Sequence, residues 1–382
     1  MQKSHLRGAA LLLTLLLLLC LAACGGDDTE TLAPVEPDKL PGDGQNEPAL
    51  KGEINPLTGL REDPSYTLQR PIAVMINNLK QATPPRGLSN YDGAIEVLAE
   101  GEINRIIAVF YDYEDIPEIG SVRSARDYYF KLARPLDPII LHYGGSDAAY
   151  IYIKQNKLDT MNGMEGDIHN LIYWRDKDRI KSAGYEHSVF TSGEKVKAAI
   201  KKLDRRTELE SKEAFFTFRD EQEEPAAPGA LPGTIVTVPF SKYIKPEFVY
   251  DADKGCYVRS QYGAPHVDDT TGEQIEADNL FVLFALHKAV GDEAGHIEVT
   301  TTGSGEGLYF SQGAGCAIHW SKKSDTDFFV FTDEAGKPLT VNRGRMWICV
   351  VKPGSDVTYA DPAQQTTDEP DAQSGQGDAP HA

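Results

Sequence analysis

The stretch Tyr91–Phe110, YDGAIEVLAEGEINRIIAVF, followed by Ile119–Tyr129, IGSVRSARDYY, and Pro138–Ser146, PIILHYGGS, decides how the rest of the chain is read. Each piece breaks a rule that a purely structural segment keeps. The carboxylates Glu96, Glu100 and Glu102 sit inside or beside an apolar run. Arg123 and Arg126 fall in the first turns of a predicted helix, Ser121–Ala133, where positive charge opposes the helix dipole. A buried-looking strand, Ile139–Leu141, runs into His142, Tyr143, Gly144, Gly145 and Ser146 before the next predicted helix. Local rules fail preferentially at functional sites, so the candidate site is placed here.

Working outward, strand and helix patterns alternate around this stretch. Ile72–Ile76, Ile106–Phe110 and Pro138–Leu141 read as strands, and Ser121–Ala133, Asp147–Gln155 and Gly193–Leu203 as helices. The alternation predicts an N-terminal α/β domain with a mixed sheet over residues 53–219. Residues 220–233, DEQEEPAAPGALPG, lack an apolar period and are read as a linker. Beyond it, short β-rich runs separated by Gly, Asp and Pro predict a mostly-β small sandwich or barrel over residues 234–352. The expected class is therefore α+β.

The two ends carry a different message. Lys3 and Arg7 precede an apolar run, Ala9–Leu19, interrupted only by Thr14, and the segment ends at Leu21-Ala22-Ala23-Cys24-Gly25. A charged start, an apolar run too short to span a bilayer and small residues at a cleavage point followed by Cys resemble a bacterial lipobox. The expectation is a signal peptide over residues 1–23, lipidation of Cys24, and a lipid-anchored protein on the extracytoplasmic face of the cell membrane. Residues 24–52 and 353–382 are rich in Asp, Glu, Pro and Gly and are expected to be a disordered tether and tail. A formal net charge of −20 argues against nucleic acid as a partner, since phosphate backbones reward Lys and Arg.

The acidic run reads in either periodicity. On a helix, Glu96 and Glu100 are neighbours about 6 Å apart at Cβ; on a strand they stand about 13 Å apart. Only the helical spacing brings two carboxyls into the range of ~5 to 9 Å that two-carboxylate glycoside chemistry uses. Arg105 can pair with either. The Arg123/Arg126 pair, with Ser121 as a helix cap, makes an anion site, unless both arginines serve to neutralise Glu96 or Glu100. Gly144-Gly145 lets backbone approach a ligand, and Ser146 is a natural N-cap. A Ser146/His142 nucleophile pair lacks the G-x-S-x-G spacing. The nine histidines form no metal-ligand spacing, and no P-loop or dinucleotide fingerprint occurs, so neither a metal nor a cofactor is expected. Cys256, Cys316 and Cys349 allow at most one internal bridge.

As a set, Asn55–Leu60 (NPLTGL), Arg70–Asn78 (RPIAVMINN), Gly87-Leu88, Glu96–Arg105, Val122–Arg126, His142–Ser146, Trp174-Arg175-Asp176, Arg179, His187 and Trp347-Ile348 resemble the YerB-like bacterial lipoprotein family. The resemblance covers nearly all of the chain between the tails. It implies two domains in an envelope lipoprotein and brings no catalytic assignment. Many relatives have Gly where this chain has Glu102, which removes Glu102 from the essential carboxylates. Asp176, Arg179 and His187 join the candidate site through this resemblance.

Three functions are weighed. The first is a lipid-anchored extracytoplasmic protein binding an anionic or sugar-containing cell-envelope ligand. The second is a peptidoglycan glycan-strand cleaving enzyme with Glu100 or Glu96 as general acid. The third is an envelope protein-interaction scaffold without a small-molecule site. The expected partners are the membrane, through the lipid anchor, and peptidoglycan or an envelope protein. A single pocket receiving both Glu100 and Arg126 would favour the first two.

Overall fold

In the computed structural model, which describes residues 51–362, the fold is organised by an 11-stranded mixed sheet to which both halves of the sequence contribute. Its central run is Asn279–Phe284, Met346–Val351, Gly93–Leu98, Asn104–Phe110, Ile72–Asn77, Ile139–His142 and Thr160–Asn162. The Val/Ile-rich strand Ile72–Asn77 lies antiparallel to Asn104–Phe110 and parallel to Ile139–His142. Both of its faces are covered, so its sequence reads as a continuous apolar run rather than an alternation. Met346–Val351 lies parallel to Gly93–Leu98 on one side and to Asn279–Phe284 on the other. Strands from the two halves of the sequence therefore meet in the middle of the sheet.

The period of two along these strands sorts side chains between two cores. Val74, Ala94, Leu98, Ile106, Val282 and Trp347 share one core with Val236, Phe248 and Tyr257 of a separate six-stranded sheet. Met75, Ile95, Val97, Ile107, Phe281 and Ile348 share the other with Tyr128, Tyr129 and Leu132 of helix Asp127–Ala133 and with Phe216, Phe329 and Phe331. Each such large side chain contributes roughly 1.5–3 kcal/mol on burial. The fold is α+β: among the described residues the helices end with Gly193–Lys202 and the C-terminal region is strand-rich, as its sequence patterns predict.

Several boundaries differ from expectation. The predicted helix Ser121–Ala133 begins only at Asp127, so Ser121 is no cap and neither arginine lies in a helical turn. Residues 121–126 run extended instead: Val122 bridges to Ile76, and Ala125 to Gly145. Leu231-Pro232, in the expected linker, pairs with Ala314-Gly315 at the edge of the large sheet. Strand Thr358–Ala360, inside the expected tail, pairs with Ile235–Thr237. Cys256, Cys316 and Cys349 are free thiols. The lipobox-like segment with Cys24, nearly all of the tether and the last part of the tail lie outside the described residues. Among those described, no helix is long and apolar enough to cross a membrane.

Candidate functional site

The candidate residues separate into three environments. Glu96 lies on a strand, not a helix, and faces the six-stranded sheet with no exposed surface. Arg259, from strand Cys256–Gln261, donates through Nη2 to Oε1 at 2.9 Å and Oε2 at 3.2 Å. Trp347 Nε1 donates to Oε2 at 3.0 Å, Asn78 Nδ2 to Oε1 at 2.9 Å, and Asn104 Nδ2 also donates to Oε1. Burial raises the Glu96 pKa, and the Arg259 charge and these donors pull against it. The Arg259 guanidinium also lies 4.9 Å from the Trp347 ring centre and donates to Nδ1 of buried His266 at 2.5 Å. This cluster ties the first half to the second, and solvent does not reach it.

Glu100 begins the turn Glu100–Glu102, where Gly101 (φ 63°) and Glu102 (φ 59°) take left-handed conformations. That turn separates the two antiparallel strands and breaks any common face with Glu96. Arg105 Nη2 reaches Glu100 Oε1 at 3.0 Å, and Arg126 holds Oε2 through Nε at 3.0 Å and Nη2 at 2.5 Å. Burial would raise the carboxyl, but the charges of Arg105 and then Arg126 overcome it and bring its pKa to about 2. Arg105 and Arg126 thus neutralise Glu100; of the two arginines read as possible neutralisers, Arg126 pairs with Glu100 and Arg123 with Glu186 instead. Glu102 is exposed.

The third environment is an open cleft of about 580 Å³ containing Arg123, Gly144 and Gly145. Its other walls are Tyr143, Tyr150, Met164, Arg175, Tyr185 and Glu186. Gly144 has φ 86°, and a Cβ there would sit 3.2 Å from Ser124 Oγ, so the turn favours glycine sterically as well as conformationally. Arg175 Nη1 donates to the Tyr185 carbonyl at 2.7 Å and to Ser188 Oγ at 3.3 Å. Its guanidinium lies 3.7 Å from the Tyr185 ring centre and 5.0 Å from that of Tyr143. Among the described residues no carboxylate pairs with Arg175, whereas Arg123 pairs with Glu186.

The remaining candidates support the cleft or lie apart from it. Ser146 caps helix Asp147–Asn156, accepting from Ala149 N at 3.2 Å, and so fixes the Gly144-Gly145 turn. His142 is buried beneath that turn with Nδ1 2.8 Å from the Gly144 carbonyl, and burial lowers its pKa to about 4. A buried ring whose Nδ1 faces a carbonyl while Ser146 serves as a cap leaves no nucleophile pair. Asp176 caps its own helix and accepts from Arg86 at 2.9 Å. Arg179 is buried against the Ala82 and Pro84 carbonyls and reaches Asp269 at 3.3 Å. His187 Nδ1 lies 2.8 Å from Asn77 Nδ2 and ends the turn that carries Tyr185 and Glu186. A second cavity, of about 680 Å³, is lined in part by Arg70 and Arg206, but Asp137 and Asp159 already occupy both.

Sequence reasoning missed Tyr150, Met164, Arg175, Tyr185 and Glu186 as site residues. The one available signal was Arg175 within the Trp174-Arg175-Asp176 motif. Nothing in the residue types distinguishes Tyr150 and Tyr185, at 39% and 62% exposure, from the core tyrosines.

The comparisons agree with this architecture. Residues 57–206 match the N-terminal domain model of a family described as protein of unknown function (DUF3048), and residues 236–348 match its C-terminal domain model. The chain is 31% identical over 300 residues to the "Putative lipoprotein YerB" of Bacillus subtilis (strain 168), covering 78% of this chain and 85% of that one. It superimposes on the crystal structure of YerB protein from Bacillus subtilis with a TM-score of 0.66 at 29% identity, covering 78% of this chain and 95% of the other. Shared sequence along most of both chains, both domain models in order, and the shared fold place this protein in the DUF3048 family of YerB-like proteins.

Proposed function

We propose that this is a lipid-anchored extracytoplasmic protein that binds an anionic or sugar-containing cell-envelope ligand in the cleft between Arg123, Arg175 and the three tyrosines. One observation carries the reading. In a chain of formal net charge −20, this cleft presents two guanidinium groups, one without a carboxylate partner, beside the rings of Tyr143, Tyr150 and Tyr185. Guanidinium forks select carboxylate or phosphate, aromatic faces accept the C–H side of a sugar ring, and concave sites combining the two hold small ligands.

The glycan-cleaving alternative needs a protonated Glu near neutral pH. Glu100, held at about 2 by two arginines, has lost that proton, and Glu96 has no exposed surface to offer a substrate. The scaffold alternative expects a flat patch where this protein has a cleft. Lipid anchoring through Cys24 rests on the lipobox-like sequence and on the lipoprotein name of the relative. A Cys24→Ala variant that stays on washed membranes as wild type does would remove the anchor.

Cosedimentation of the full chain with purified cell wall tests the binding reading. Wild type should bind saturably, and Arg175→Ala should bind at least ~10-fold more weakly with an unchanged melting curve. Equal binding by both proteins, or none by wild type, overturns the reading.

A further inference from the structure

The contact between Arg123 and Glu186 points to the chemistry of the ligand. Arg123 Nη1 donates to the Glu186 main-chain carbonyl at 2.8 Å, and Nη2 to the Glu186 carboxylate at 3.1 Å. Glu186 thus occupies both teeth of the fork, Nη1 through its main-chain carbonyl and Nη2 through its carboxylate, and an incoming anion takes the place of the carboxylate at Nη2. The Glu186 side chain is 72% exposed, and among the described residues its carboxylate has no other hydrogen-bond partner. It rides on the single turn Tyr185–His187, which follows Gly184 at φ 99°, and a Cβ at Gly184 would touch nothing within 4 Å. Arg175, through the Tyr185 carbonyl, and Asn77, through His187, hold the backbone of the turn, while the Glu186 carboxylate is held by Arg123.

The arginine is under-compensated. Arg123 Nε is buried without a partner, and burial, followed by the nearby charge of Arg105, lowers the Arg123 pKa while Glu186 raises it. A well-held anion relieves that deficit better than a solvent-exposed carboxylate does, because exposed ion pairs are weakened by water and salt. Beside the fork, Tyr150 and Tyr185 present exposed ring surface to the cleft.

We propose that the Glu186 carboxylate is a resident stand-in on Arg123, and that the cleft is specific for a carboxylate-bearing sugar whose acid group displaces it while the sugar ring lies along Tyr150 and Tyr185. This rests on the cleft being the binding site and adds the identity of the anion and the competitor that the ligand must remove. Glu186 therefore sets affinity by competition, and its loss strengthens binding.

The test is calorimetric titration of the full chain in detergent with three probes: N-acetylmuramic acid, N-acetylglucosamine, and N-acetylglucosamine 1-phosphate. The carboxylated sugar should bind at least ~10-fold tighter than the neutral one, since a charge-assisted contact is gained. Glu186→Gln keeps the shape and weakens the competitor, so it should tighten the carboxylated sugar roughly three- to ten-fold and leave the neutral sugar unchanged. Glu186 is exposed, so the variant should melt with wild type. Equal affinity for acid and neutral sugars, tighter binding of the phosphate, or weaker binding of the acid by Glu186→Gln would each overturn this inference while leaving the cleft as the site. Failure of all three probes, together with failure of wild type to cosediment with cell wall, would overturn the cleft reading as well.

Discussion

Glu96 and Glu186 each meet an arginine, yet the Glu96–Arg259 pair has no exposed side-chain surface while the Glu186 carboxylate at Arg123 is 72% exposed. The same two residue types do opposite work in the two places. Inside the protein, desolvation makes each charge depend on the other, so the pair becomes a rivet between the halves of the chain. In the cleft, water competes for the exposed Glu186 carboxylate, the pair is cheap to open, and the arginine stays available. A charged pair is thus a candidate for exchange only where its desolvation has not already been spent.

The largest effect should follow from breaking the sealed pair. Arg259→Ala leaves Glu96 buried without its counter-charge, and urea unfolding should register a loss of about 3–5 kcal/mol. Replacing both partners, Glu96→Leu with Arg259→Met, should recover most of it, because the penalty lies in the uncompensated charge. A double variant as unstable as the single one would mean that shape rather than charge holds the halves together.

Glu100 stands between the two extremes, with its side chain 23% exposed. Its pKa is depressed from the ordinary 4.5 to about 2, so it contributes stability at neutral pH that is lost as pH falls from about 5 toward 2. Glu100→Gln should cost about 2 kcal/mol at pH 7 after allowance for partial exposure, and the gap from wild type should close on acidification. Parallel stability curves from pH 7 to 2.5 would show that the pairs with Arg105 and Arg126 are not what lowers it.

At the open pair, Arg123→Ala should change stability by no more than ~1 kcal/mol, well below Arg259→Ala. A loss as large as that of Arg259→Ala would erase the distinction between cleft and core. The smallest effect concerns the thiols: with Cys256, Cys316 and Cys349 all free, adding a reductant should leave the melting temperature unchanged. A drop on reduction would reveal a bridge.

Much of the framework was legible because it is local. Ile72–Asn77 and Asn104–Phe110 announce themselves as apolar β-rich runs, and Ser146 marks its helix start through its own side chain. The helix expected from Ser121 failed for a physical reason. Val122, Ala125, Tyr129 and Leu132 do recur at helical spacing, but Val122 and Ala125 are buried by bridges to Ile76 and Gly145, partners remote in sequence. The strand Ala314–Lys322 is hard to read from its residues because AGCAIHWSK mixes small and polar side chains, and its long pairing with Gly303–Ser311 supplies what its composition does not. The candidate cleft was half legible. Arg123, Gly144 and Gly145 stand out where charge and glycine break local rules, whereas the burial of Glu96 depends on Arg259 and Trp347 arriving from the other half of the chain. Exposure of Tyr150 and Tyr185 is a property of packing, and no residue type encodes it.

The most direct test of the central claim is a hydrogen–deuterium exchange footprint of the full chain with and without soluble glycan fragments from purified cell wall. Binding in the cleft should slow exchange in the segments 122–126, 143–150 and 174–188, and leave 93–98 and 256–261, already protected by the sheets, unchanged. Protection confined to surfaces away from the cleft, or no change at saturating fragment, would contradict the account.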